Sequence, residues 1–465
     1  MVVSLSVFSA FTLKAQEFEG ASNTGGSSTT ALTAGLDLAR HGQLDGAMKI
    51  FAQALTHDPA NVALMNALGA TYHLLGDFEN ATEYFLKCLA ADPGFVTARK
   101  NLAITYFAAG QYDLARAELL KLRDSSVSPV GIADLFLGMI AEKKGAYQEA
   151  AALLTEAGTL LDHHPEGLLC LARAELQLNN LRKVQEALTD FEQAREVTAS
   201  QKIQAAELYS LLAQAAQKAG DLTEAMQSLR RAAKLDPSKE DNYLDFVSIC
   251  TDYDNYTLAL EGAEVGLEHI PNSYRLLVQK GVALEGLGRI EDAEASLRQA
   301  AKLSKDHSIA LLSLSIVQSH AGQLQDAEST LTSAIKEFPD NYYMHYQLGK
   351  VLLKLCEDES ANPQFSTRAK QEFERAVRCN PAYADSYYQL AKVLQPASSK
   401  LAEQNYLKCL RLDPSHGPAE YALARLYISM GRRAAGQQLI DRFERQRQAD
   451  KDKESKRPRI EVAQN

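Results

Sequence analysis

The chain has 465 residues, and its 49 Lys and Arg against 59 Asp and Glu give a formal net charge of −10 at pH 7. That acidic balance argues against a protein that binds nucleic acid along its whole length, because such proteins carry a basic excess. The six cysteines, Cys88, Cys170, Cys250, Cys356, Cys379 and Cys409, form no CxxC pair. Zinc-ribbon and thioredoxin-like readings therefore have no support, and a disulfide framework is not expected in a chain this long.

The first element is the uncharged run VVSLSVFSAFTL, Val2 to Leu13. It is too short to span a bilayer. A small, polar stretch follows it. The two together have the order of the apolar core and cleavage zone of a secretory signal, with Leu13 and Ala15 at the −3 and −1 positions. The usual basic segment before the apolar run is missing, and Lys14 lies after it. The expectation is an exported protein, periplasmic or secreted, with a cytoplasmic one as the alternative. Residues 1–28 are set apart from the folded region as a signal peptide and linker.

From residue 29 one skeleton recurs. NALGATYHLLGDFENATEYFLKCLAADP, Asn66 to Pro93, places Gly69 and Tyr72 on one helix, a break at Gly76, then Ala81, Phe85 and Cys88 on one face of a second helix stopped by Pro93. Proline-containing endings recur at Pro59, Pro93, Pro237, Pro271, Pro339, Pro381 and Pro414. Each unit reads as a helix hairpin with a Gly turn. A single hairpin cannot bury the apolar stripes of both helices, so neighbours must stack.

With Gly35, Gly42, Ala47, Phe51, Ala54 and Pro59 in the first unit, and Ala424, Tyr427 and Gly431 in the last, the pattern resembles the tetratricopeptide repeat, with its period of about 34 residues. The resemblance covers nearly the whole chain, about twelve units over residues 29–449, with residues 450–465 left as a charged, disordered tail. It implies an all-α fold, a right-handed α-solenoid of stacked helix-turn-helix repeats. Three departures stand out. The stretch Asp124 to Ser128 lengthens one junction. The unit from Gly167 to about Thr198 is degenerate. CEDESANPQFST, Cys356 to Thr367, is expected to insert about eight residues into a turn between helices. Cys88 and Cys409 take the place of small core residues. His163 and His164 lie in a turn and are expected to be solvated, with no third ligand in view for a metal.

No phosphate loop, HExxH, GxSxG or strand-linked GxGxxG is present. The carboxylates of Asp77, Asp113, Asp221 and Asp292 sit where helices begin and read as caps or solvated charges. No cofactor is expected, and the repeats leave no room for a catalytic domain. What remains is surface. In the family the first helix of each repeat lines a concave groove, and the resemblance implies that positions 2, 5, 9, 12 and 13 face it.

Three related stretches, HYQLGKVL (345–352), YYQLAKVL (387–394) and EYALARLY (420–427), place Tyr346 with Lys350, Tyr388 with Lys392, and Tyr421 with Arg425 at positions 5 and 9. Each pair is i, i+4 on one helix face. Tyr343 and Lys354 extend the set. The expected ligand is an extended protein segment, acidic or C-terminal, whose carboxylates pair with the cations while the tyrosines supply rigid contact area. The competing expectation is that each Tyr packs on the neighbouring repeat and each Lys lies over it. Asn66, Lys100 and Asn101 resemble a fragment of the carboxylate clamp of chaperone-binding members of the family. Leu135, Met139, Leu169 and Leu176 offer either an apolar contact face or packing. The KRPR run, Lys456 to Arg459, matches a nuclear signal by pattern alone. The sequence thus supports a non-enzymatic interaction scaffold with no nucleic-acid partner and no transmembrane segment. The alternative is a recruiting subunit for an enzyme on a separate chain, such as a glycosyltransferase or peptidase. If the apolar run is a signal, N-terminal sequencing of the protein from its native host will find a chain beginning near Gln16; Met1 or Val2 on most molecules would contradict export.

Overall fold

The computed structural model describes residues 26–124, 131–193, 199–358 and 363–454. The apolar run at 2–13, the KRPR stretch, most of the lengthened junction at 124–128, and the side chain of His163 lie outside what is described. Among the described residues all regular structure is helical, in two compact units, the chain dividing between Asp236 and Pro237.

The first unit holds α1 (Gly26–Arg40), α2 (Leu44–His57), α3 (Val62–Leu74), α4 (Phe78–Ala91), α5 (Val96–Ala108), α6 (Tyr112–Arg123), α7 (Ile132–Lys143), α8 (Tyr147–Glu156), α9 (Pro165–Gln177), α10 (Leu181–Gln193), α11 (Ala199–Ala219) and α12 (Leu222–Leu235). The second holds α13 (Glu240–Asp252), α14 (Tyr256–His269), α15 (Tyr274–Gly286), α16 (Ile290–Leu303), α17 (Ser308–His320), α18 (Leu324–Glu337), α19 (Tyr342–Asp358), α20 (Pro363–Cys379), α21 (Ala384–Leu394), α22 (Ser399–Leu412), α23 (Gly417–Ser429) and α24 (Arg433–Glu454). Odd-numbered helices open the hairpins and even-numbered ones close them. Each unit is thus a stack of hairpins, in which each helix packs on the next. First helices also pack on one another, α1 through α11 in the first unit and α13 through α19 in the second.

The local reasons are visible in the residues. Side chains of Asn61, Asp77, Asp221 and Ser273 accept the free N–H groups of Leu64, Asn80, Glu224 and Leu276 at helix starts. Turns between paired helices need a left-handed residue, supplied by glycines such as Gly42 (φ 74°) and Gly76 (φ 80°). Where glycine is missing, Asn179 (φ 60°) and Asp254 (φ 57°) take the same conformation, as short polar side chains can. Asn179 serves the hairpin α9–α10, so the degenerate unit still folds as a hairpin.

The expected insertion at 356–367 is corrected by the structure. The extra residues largely lengthen the two helices: α19 and α20 each run for 17 residues, against 13 and 14 in α15 and α16. No glycine stands where α19 would turn, and its apolar stripe continues through Val351, Leu352 and Leu355, all buried. Leu135, Met139, Leu169 and Leu176 are also buried, so they pack the first unit and do not offer a contact face. Cys88 and Cys409 are core residues, and burial pushes both thiols up to about 12.

A polar seam crosses the first unit between α3 and α5. The Asn101 side chain donates to Asn66 at 3.1 Å, and His73 Nδ1 lies 2.9 Å from Thr105 Oγ1, all four residues being buried. Burial lowers the His73 imidazole to about 4. A histidine held neutral in the fold stabilises it fully above its unfolded value near 6.5, and the unfolded chain gains protons first as the pH falls. Stability should therefore drop between pH 6.5 and 4 by about 3 kcal/mol from this group. Urea unfolding of the intact chain across that window should show the slope, and His73→Gln should flatten it; an unchanged slope would contradict the buried neutral ring.

Candidate peptide-binding face

The Tyr–cation pairs lie in the second unit on α19, α21 and α23, the first helices of its last three hairpins. Lys350 Nζ sits 5.4 Å from the ring centre of Tyr346, and Lys392 Nζ sits 5.7 Å from that of Tyr388. Both are cation–π contacts along one helix face. The third pair differs: Tyr421 packs on Phe443 of α24 at 5.4 Å, and Arg425 is exposed. Neither Lys350, Lys392 nor Arg425 forms an ion pair with a carboxylate among the described residues. Lys354 instead donates to the backbone and side-chain oxygens of Ser319 on α17, both at 3.2 Å.

The tyrosines are not equally available. Tyr346 is 6% exposed and Tyr421 43%. Tyr346 belongs to a cluster with Tyr342, Tyr343 and Tyr383: it stacks on Tyr343 at 5.6 Å and meets the Tyr383 ring edge-on at 5.2 Å. Burial, with the Asp385 carboxylate nearby, pushes the Tyr346 phenol up to about 12. Tyr388 packs against His416 at 4.9 Å, and burial raises its phenol as well. Burial lowers the Lys350 ammonium, the positive charge of Lys354 lowers it further, and Asp385 partly compensates. The tyrosines at 346 and 388 thus serve largely as platforms that carry cations, and the cations form the accessible surface.

Several residues that shape this face were not singled out in the sequence. Tyr383 precedes α21 in the turn, away from any helical stripe, so periodicity gave no signal for it. Asp385 stands at groove position 2, and the counting that selected its neighbours could have found it. The residue before each motif tyrosine has its own role. His345 Nε2 lies 2.9 Å from the Pro339 carbonyl and Tyr387 donates to that of Pro381 at 3.2 Å, while buried Glu420 pairs with Arg442. In the first unit, Asn66 and Asn101 bond to each other inside the seam, and Lys100 is buried beside them. Among the described residues no three His, Cys, Asp or Glu are grouped to hold a metal ion, and no helix is long and apolar enough to cross a membrane.

Three tetratricopeptide repeat models match the chain, at residues 32–94, 100–165 and 278–342, at 72–127, and at 206–239. The chain belongs to the tetratricopeptide repeat proteins. Its tetratricopeptide array is an interaction scaffold of the kind that binds other proteins. No curated protein sequence matches it. Similar solved structures include yeast Tom70, 15% identical over 90% of this chain and 91% of that one with a TM-score of 0.45. The APC/C hetero-tetramer Cut9–Hcn1 is 12% identical over 90% and 95% with a TM-score of 0.40. MamA is 20% identical over 37% of this chain and 96% of that one, with a TM-score of 0.32.

The burial difference along this tetratricopeptide face predicts unequal costs. Tyr346→Ala should destabilise the second unit by about 3–5 kcal/mol, as large-to-small core changes do. Tyr421→Ala should cost under about 1 kcal/mol. Denaturant unfolding followed by circular dichroism checks this; equal midpoints for the two variants would contradict the packing.

Proposed function

We propose that the α19–α21–α23 face is the groove in which this scaffold captures an extended, acidic or C-terminal segment of a partner protein. The observation that carries the reading is the row Lys350, Lys392 and Arg425. These three cations occupy one helical position in successive hairpins, two of them held over tyrosine rings, and none forms an ion pair with a carboxylate among the described residues, although Asp385 lies near enough to act on Lys350. A ring beneath an ammonium fixes its place without neutralising it. Carboxylates of a bound segment would form charge-assisted bonds worth roughly 1–3 kcal/mol each where water is displaced. Tyr421, which is exposed, and Tyr343, which is partly so, would add contact area. The proposal extends to an exported scaffold, and its support there is the apolar run Val2 to Leu13 alone.

Charge reversal separates binding from packing. The double variant Lys350→Glu/Lys392→Glu of the full chain, immobilised and exposed to a lysate of its native host, should lose the partners that the unaltered chain retains. Retention by the unaltered chain should fall with added salt, since exposed charges are screened. A melting curve accompanies the capture. Partners kept by a folded double variant would overturn the proposal.

A further inference from the structure

The same face of the second unit changes character toward its start. At groove position 5, α13, α15 and α17 carry Leu244, Val278 and Leu312 where the later hairpins carry Tyr346, Tyr388 and Tyr421. At position 9 they carry Ser248, Val282 and Ile316, where the later ones carry the cations. Between these three helices runs a groove walled by Leu244, Val278, Tyr274 and Ile309, with Asp245 and Arg275 at its polar edge. Ile309 is 55% exposed, a large aliphatic side chain left in water beside a hollow.

The two charged residues are in different states. Arg275 Nη1 donates to Glu240 at 3.0 Å and to Asp241 at 2.9 Å, so its charge is satisfied. Asp245 forms no hydrogen bond or ion pair with another described residue. Desolvation by the groove walls and the nearby charge of Asp241 raise its carboxyl above the ordinary range, and the charges of Arg275 and Lys239 offset part of that rise. A carboxylate that no hydrogen bond or ion pair holds, beside an apolar hollow, is complementary to a cation attached to an apolar side chain.

We infer that this groove seats a second anchor of the captured segment, an aliphatic side chain against Ile309, Val278 and Leu244 next to a lysine or arginine paired with Asp245. The inference rests on the proposed peptide-binding face, and gives the segment a polarity: cationic and aliphatic at one end, acidic at the other. Helix axes in contact lie 8–10 Å apart, so from α15 to α21 the two anchors are roughly 30 Å apart, or about nine extended residues.

Two synthetic peptides of about 12 residues test it, each made in both chain directions. One carries three glutamates at one end of a Ser/Ala spacer. The other adds Leu-Lys at the far end, about nine residues away. Fluorescence anisotropy with the full chain should show the two-ended peptide binding at least about tenfold tighter in one direction. Asp245→Lys and, independently, Ile309→Ser should remove that gain while leaving the acidic peptide's affinity unchanged; Lys350→Glu/Lys392→Glu should weaken both peptides. Because Ile309 and Asp245 are both exposed, a folding failure in one variant leaves the other to decide. If the acidic peptide binds and loses affinity on charge reversal, yet the added end brings no gain or both groove variants keep it, this inference falls and the proposed function stands. If neither peptide binds, both fall. Should sedimentation show self-association that the groove variants abolish, with peptide affinity unaltered, the groove belongs to a second copy of the chain and the inference is overturned.

Discussion

Everything in this chain depends on how closely the two helices of a hairpin approach. A Cβ built on Gly69 would lie 2.8 Å from the ring of Phe85, and one on Gly349 would lie 2.6 Å from that of Phe373. No side chain fits there without moving the aromatic ring, so a small residue at that point sets the helix separation. The aromatic ring fills the remaining volume and is fully buried in both cases. With separation fixed, the turn must reverse the chain in two or three residues, which forces the left-handed residue at its centre. The paired helices then leave an apolar flank on each side, and only another hairpin can cover it.

The stacking signal was legible because it resides in residue types that have few substitutes. Glycine at a left-handed turn and a small residue opposite an aromatic ring recur in the sequence and recur in the structure. Where the chemistry admits a substitute, the signal faded. Asn179 and Asp254 make the same turn as glycine, and neither looked like a turn residue by pattern. The stretch after Leu355 looked like a loop because it exceeded the repeat length. Yet without a helix breaker the apolar stripe simply continues and α19 grows longer. Leu135 and Met139 showed the reverse problem: an apolar residue on a first helix reads the same whether it faces a groove or a neighbouring hairpin, and only packing decides.

The face was legible in part for the same reason. Spacing alone placed Tyr346 and Lys350 side by side, and they are. Spacing could not tell that Tyr343 and Tyr383 would close over Tyr346 and bury it, since Tyr383 comes from the turn before the next hairpin. Nor could it tell that Tyr421 would lean on Phe443, a residue of the last helix. The three motifs look alike in sequence because their hairpins share a backbone. They differ in structure because each tyrosine meets a different neighbour: a tyrosine cluster, a histidine, and the capping helix.

That difference bears on where charge remains available. Within a hairpin stack a charged side chain can find a partner on a neighbouring hairpin, as Arg432 finds Glu403 and Arg368 finds Glu328. Such pairs on the surface contribute little each, but they neutralise the face on which they lie. A cation resting on an aromatic ring is held in place and keeps its charge, because the ring attracts it through a quadrupole and supplies no counter-charge. Lys350 and Lys392 are therefore positioned without an ion pair, with Asp385 offsetting only part of the Lys350 surroundings, whereas Arg275 is positioned by ion pairs with Glu240 and Asp241. Within one unit, then, the later hairpins carry Lys350, Lys392 and Arg425 without ion pairs among the described residues, with Asp385 beside Lys350, and an earlier hairpin carries Asp245 without one. That arrangement follows from which residues stand on the outer faces of the first helices, and the hairpin core, satisfied by its small residues and aromatic rings, leaves that choice unconstrained.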